Sequence, residues 1–374
     1  MEDIKQKING VKDSLGEIKK NPKNIANKVY DFIKKSSFFW GPQQNDIGVS
    51  IGHQNIIAVE LDKTQEVPHI KRLAVHEITQ ESADISEILR QMFHDAGFSN
   101  NCINTSLSGK SVIVRFIKFP KMNKKELRSA LAFEAEKYIP FDINDVYLDF
   151  DILDSDTASK KYLDIALVAA KKDAVHQLLS NCKDANLSIK VIDNDSFACF
   201  NSFLAAYPEE KMKTTALINI GAKLTNLMIV YQGLPAFSRD LYFGGDDITL
   251  GLSKKLQVDI KEATKLKYNL KTTKNANIKT AISEILHYLM TEIRLSFDYF
   301  ETQTQKEKRS VEDIYIIGGS SQLEGLVELI EETLKIKTVH FEPLRCIILD
   351  DSVDKKLIKQ YEASLAVPIG LAIR

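Results

Sequence analysis

Three glycine turns hold the residues best suited to chemistry in this 374-residue chain. In the first, Gly52-His53-Gln54 interrupts two apolar runs between Asp46 and Leu61. In the second, Gly221-Ala222-Lys223 separates the run ending at Ile220 from the run Leu227 to Tyr231. A Gly233-Leu234-Pro235 turn, a short strand and Gly244-Gly245 follow, and Asp246, Asp247 and Thr249 open an amphipathic helix. In the third, the apolar run Ile314 to Ile317 meets Gly318-Gly319-Ser320-Ser321 ahead of a helix. Glycine lets a backbone approach a ligand closely, and amides at a turn or helix start can cradle an anion. The chemistry suggested is phosphate binding. Taken singly, each turn reads equally well as an ordinary hairpin or helix start.

Bulk properties narrow the setting. Fifty basic residues face 51 acidic ones, a net charge of -1, which excludes nucleic acid as a partner signalled by charge. Cys102, Cys182, Cys199 and Cys346 show no paired spacing, as expected of reduced thiols rather than a zinc site or disulfide framework. No apolar run has the length of a bilayer span and the N-terminus lacks a secretory apolar core, so a cytoplasmic protein is expected.

Helical spacing of Ile4, Ile8, Val11, Leu15 and Ile18 marks residues 1–45 as a basic amphipathic arm and linker. Its first 40 residues carry nine Lys against five acidic residues and end in Phe38-Phe39-Trp40, which suits an anionic membrane surface or a partner helix. Residues 46–110 read as strands, a helix ended by Gly97, and another strand. Residues 111–190 read as strand, helix, strand, strand, helix, with Asn123 capping the first helix. This is a compact α+β unit inserted before the second half. Residues 191–213 return to the first lobe, 214–345 form a second lobe, and 346–374 return as an apolar helix from Tyr361 packing on the first lobe.

Two glycine hairpins and a late strand-Gly-Gly turn resemble the duplicated core of the actin, Hsp70 and sugar-kinase superfamily. The implied fold is α/β: two actin/Hsp70-like (ribonuclease H-like) lobes with an inserted α+β subdomain. Ser111 to Met122, Glu134 to Phe141, Phe237 to Asp240 with Gly244-Gly245, Glu292 to Ser296 and Gly370 to Arg374 resemble the type IV pilus assembly family PilM. That family is an actin-like relative of FtsA. The resemblance covers about residues 46–374 and leaves the arm outside it.

The resemblance implies ATP between the lobes. It also implies a groove between the first lobe and the inserted unit for the cytoplasmic tail of a PilN-like membrane protein. A cytoplasmic scaffold at the inner face of the inner membrane follows, touching pilus motor or ring proteins, with homo-oligomers open. Tyr138, Ile139 and Phe141 would contact the tail, with core packing the alternative. The implied nucleotide set is Ser50, Gly52, Asn219, Gly221, Thr225, Gly245, Glu262, Lys267, Gly318, Gly319 and Ser320.

Two of these depart from the pattern. The family pattern has Asp where Ser50 and Asn219 stand, and Lys where Ile57 stands. The Asp pair would hold magnesium through its water shell, and the Lys would face phosphate. Hydrolysis draws on metal and positioned charge. The expectation is therefore ATP held weakly or without metal, with magnesium and hydrolysis disfavoured. The alternatives are a nucleotide-switched ATPase and the actin-like part of a type II secretion platform. The chain's end at Arg374, without a membrane helix, counts against the second.

Overall fold

The structure, a computed structural model, describes residues 46–64, 67–78, 84–153, 161–268, 276–303 and 309–374. The arm and linker, and with them the membrane contact expected of residues 1–40, lie outside the described residues.

The first lobe is built on strands β1 (Asp46–Ile51), β2 (Asn55–Asp62), β3 (His69–Glu77) and β4 (Cys102–Leu107). The inserted unit supplies β5 (Val112–Pro120), β6 (Val146–Ile152) and β7 (Tyr162–Lys171). Then come β8 (Ser188–Asn194), β9 (Thr214–Ile220), β10 (Thr225–Tyr231), β11 (Leu234–Leu241), β12 (Asp313–Ile317), β13 (Lys337–His340) and β14 (Ile348–Leu349). Three sheets result, ordered β14-β3-β2-β1-β4-β8, β11-β10-β9-β12-β13 and β5-β7-β6. The first two share a plan. A three-strand antiparallel meander, β1-β2-β3 or β9-β10-β11, is extended from its first strand by two parallel strands. One topology used twice is the two-lobed actin-like fold.

Parallel neighbours need crossover helices, and these cover the outer faces. Helix α1 (Ile85–Ala96) starts on the Asp84 side chain and stops at Gly97, whose φ of 60° is left-handed. Its Leu89, Met92 and Phe93 pack on Ile47, Val49 and Ile103. Helix α2 (Lys124–Glu134) belongs to the inserted unit and carries a full capping box between Asn123 and Glu126. Helix α3 (Lys172–Asp184) corrects the expected boundary of that unit. Its Leu178 and Cys182 join the first-lobe core, and β8 pairs with β4 from Ser188 onward. The inserted unit is β5 to β7 with α2, and α3 is the first lobe's own crossover.

On the second lobe the outer layer is α5 (Gly245–Leu256), α6 (Ile260–Tyr268), α7 (Ala276–Gln303) and α8 (Leu326–Leu334). Two apolar helices lie between the sheets. Helix α4 (Asp195–Ala206) sets Phe200 and Phe203 against Leu217, Met228 and Tyr315 of the second sheet. After α9 (Lys355–Tyr361), helix α10 (Ala366–Ile373) is buried along its whole length. The single helix expected from Tyr361 to Arg374 is thus broken by a 3-10 turn at Glu362–Ser364. Pro368 has no N–H, so it is tolerated only in a first turn, and the chain restarts the helix just before it. Helix α10 packs on β1 and on α4 closely enough to require a glycine at each contact. A Cβ on Gly48 of β1 would stand 2.0 Å from Pro368 O, and one on Gly370 would stand 1.8 Å from Ala198 O.

Candidate functional site

The second-lobe glycines meet in one knot. The hairpin turn closes on itself: Gly221 N donates to Leu224 O at 2.8 Å. The start of α5 then docks on that turn: Gly245 N donates to Gly221 O at 2.9 Å and Asp246 N to Ala222 O at 2.8 Å. Ser320 Oγ donates to Gly221 O at 3.0 Å, and Lys267 Nζ to Gly245 O at 3.0 Å. A side chain at Gly245 would collide with Ser320 Oγ at 2.2 Å and crowd Lys267 Nζ at 3.2 Å. Gly221, Gly245, Lys267 and Ser320 are therefore brought together as expected of one site. Their mutual contacts engage the groups expected to face a ligand, which corrects the reading of the Gly244-Gly245 amides as exposed donors.

Further residues sort by burial. Thr225 is fully buried and its hydroxyl donates to Phe243 O at 2.8 Å, which corrects its reading as a phosphate donor. Gly318, at φ 89°, donates its N–H to Ala363 O at 2.8 Å. Gly319 is exposed beside Ser364, 3.3 Å from where its Cβ would lie. Glu262 is exposed on α6, away from the cavity-lining face set by Ile260, Thr264 and Lys267, and so corrects its reading as a nucleoside contact.

The first lobe offers a different surface. Ser50 is half-buried on β1, and Gly52-His53-Gln54 at the hairpin tip is exposed. Strand alternation puts Ser50 on the same face as Gly48, toward α10. Gln54 Nε2 donates to Asp246 Oδ1 at 2.6 Å, so the tip of one hairpin touches the helix start beside the other. A cavity of about 360 Å³ opens there, lined by Gln54, Asp246, Thr249, Leu250, Ile260, Thr264, Lys267 and Tyr268. Its lining holds one ammonium, Lys267, and one carboxylate, Asp246. Lys267 is 3% exposed, and burial holds its ammonium below the usual lysine range, partly offset by Asp246.

Asp46 sits at the far end of β1 from Gly52. It pairs with Lys63 at 2.5 Å and Lys190 at 2.8 Å. Burial raises its carboxyl, but the two lysines more than reverse this and leave it below the usual range. Lys63 is fully buried and also reaches Ile373 O at the end of α10, at 3.4 Å. Nothing in the local sequence marks Lys63 as this anchor. Gln54 and Asp240 entered the sequence reading only within motifs, since the role of each is set by a partner far away in sequence.

At the inserted unit, Ile139 is 5% exposed and packs with Ala135, Val146 and Ala169, which corrects its reading as a tail contact. Tyr138 and Phe141 are half-buried at the rim of that cluster, and Lys171 Nζ lies 4.8 Å from the Phe141 ring centre. Among the described residues, no three His, Cys, Asp or Glu side chains are grouped to hold a metal, and no helix is long and apolar enough to cross a membrane.

Duplicated sheets, a shared helix layer and a glycine-lined cleft define the actin-like class. Within it, the family described as type IV pilus assembly protein PilM matches residues 48–374, and the chain belongs to that family. A solved structure described as the PilM-PilN type IV pilus biogenesis complex is 28% identical, with a TM-score of 0.79. The match covers 89% of this chain and 99% of the other. The ethanolamine utilization protein EutJ from Carboxydothermus hydrogenoformans shares the fold at 12% identity and TM-score 0.51, over 94% of this chain and 99% of its own.

Proposed function

We propose that this protein is a cytoplasmic assembly component of a type IV pilus machine and holds the cytoplasmic tail of a PilN-like membrane protein. The supporting observation is the match, over nearly the whole of the other chain, to the PilM-PilN complex. It runs through the inserted unit, where the family places the tail. In this reading Tyr138 and Phe141 border the groove and Ile139 supports it from behind. Docking of the tail would bring the protein to the inner face of the inner membrane. Remaining surface would serve motor or ring proteins or a second copy. Phe133 on α2, 86% exposed, belongs to that surface.

The nucleotide cleft is a weak, metal-independent site in this proposal. Ser50 and Asn219 offer a hydroxyl and an amide where a magnesium site would draw on carboxylates. Asp46 is committed to two lysines at the wrong end of β1. The cavity beside Lys267 is the space in which the nucleotide would lie.

A labelled peptide of the PilN-like tail, titrated in fluorescence anisotropy, tests the partner. Saturable binding is expected, weakened at least tenfold by Phe141→Ala and by Tyr138→Ala. Absence of binding to the intact protein would overturn the partner assignment.

A further inference from the structure

Three polar residues stand side by side across the second-lobe meander. Asn219 of β9 is directly opposite Asn226 of β10, and Asn226 is directly opposite Asp240 of β11. Residues paired in this way share a face of the sheet and are close enough for their side chains to meet. Asn219 Nδ2 donates to Asn226 Oδ1 at 3.1 Å, and Asn226 Nδ2 donates to Asp240 Oδ1 at 2.7 Å. The second oxygen of Asp240 accepts from Gly109 N at 2.7 Å.

Gly109 is where the first lobe gives way to the inserted unit. It has a left-handed φ of 73° and opens the 3-10 turn Gly109–Ser111 that leads into β5. On its other side the same connection is held by Asp195, which accepts from Ser106 Oγ at 2.6 Å and Ser108 Oγ at 2.7 Å. A carboxylate from each lobe thus grips the root of the inserted unit.

The direction of the chain follows from chemistry. A carboxylate only accepts, so Asn226 must turn its NH₂ toward Asp240 and its oxygen toward residue 219. Residue 219 must then donate. An amide does this and a carboxylate does not. Asn219 Oδ1, the end left over, lies against Gly318, 2.5 Å from where a Cβ would stand.

We propose that Asn219 is a positioning residue: the donor that completes an Asn219–Asn226–Asp240–Gly109 chain linking the cleft to the root of the inserted unit. A ligand that draws the Asn219 amide away from Asn226 loosens the grip on Gly109. An aspartate at 219 breaks the chain, because Asn226 then faces two carboxylates with a single NH₂ group. The functional sense, cleft state felt by the tail-binding unit, rests on the partner reading above. The bond chain itself does not.

The test is a compensating pair. Asn219→Asp alone is expected to lower the midpoint of thermal unfolding and to speed amide exchange across residues 108–114. Adding Asp240→Asn restores both, because the amides of residues 226 and 240 turn over. Residue 219 then accepts from Asn226, residue 226 accepts from the new amide, and that amide's oxygen still accepts from Gly109 N. Net charge equals that of the natural chain. Asp240→Asn alone is tolerated by the same reversal. Additive losses in the double variant, or unchanged exchange at 108–114 in Asn219→Asp, would overturn the proposal. Neither readout requires a bound tail, so failure of the partner assignment would leave this result standing.

Discussion

The two lobes repeat one topology and use its glycine hairpin differently. In the first lobe the tip at Gly52 to Gln54 is open, and the glycine under strain of space is Gly48, against α10. In the second lobe the tip is covered: α5, Ser320 and Lys267 close over Gly221. A duplicated frame therefore carries one exposed hairpin tip and one that protein contacts cover. The difference shows how one of two equivalent hairpins can be tied into protein contacts without a change of fold. Its glycines stay, and backbone carbonyls and side chains take the contacts.

The largest effect is expected where the C-terminal helix α10 meets α4. Gly370→Ala places a methyl 1.8 Å from a backbone oxygen that has no room to move. A loss of about 3 kcal/mol or more is expected in urea unfolding, beyond the usual range of overpacking. A loss under about 1 kcal/mol would mean that α10 is not seated as described.

Gly245→Ala probes the covered half. The added methyl meets Ser320 Oγ at 2.2 Å, the end of a side chain rather than backbone, so a smaller loss of about 1–3 kcal/mol is expected. Ser320→Ala in the same chain should recover part of it. Independent losses would show that the two residues are not in contact, and would open the second half-site again.

The pH dependence of stability sharpens the same point. Burial lowers the Lys267 pKa below 10.5, its unperturbed value. Between the two values the unfolded chain binds more protons than the folded one, so Lys267 makes stability rise with pH across that window. Lys267→Met should flatten the alkaline rise without unfolding the protein. A rise of equal size in the variant would assign it to another group.

The inserted unit and the hairpin contact give the smaller effects. Asn123→Ala removes both cap bonds of α2 and should cost about 1 kcal/mol. Gln54→Ala removes an exposed contact and should cost under about 1 kcal/mol, while loosening the join between the two hairpins.

Much of this was legible in the sequence. Glycine turns between apolar runs gave both hairpins, and Asn123 and Gly97 gave helix ends, because these signals act within a few residues. What was illegible depends on register and close approach. Thr225 reads as a surface donor until β10 is laid beside the loop carrying Phe243. Asn219, Asn226 and Asp240 form a row only once two strand pairings are fixed. Lys63 reads as a turn residue because lysine is seldom buried without a partner, and its partner Asp46 lies across the meander. The boundary of the inserted unit was misplaced at α3 for a related reason. Its apolar stripe fits a small α+β unit as well as a crossover, and only the core it joins decides between them.

The central proposal is that the cleft binds ATP without a metal. Calorimetric titration of ATP into nucleotide-free protein, once with magnesium chloride and once with EDTA, tests it most directly. Weak binding of equal affinity in both buffers, with no phosphate released, is the expected result. Binding that appears only with magnesium, accompanied by turnover, would contradict it.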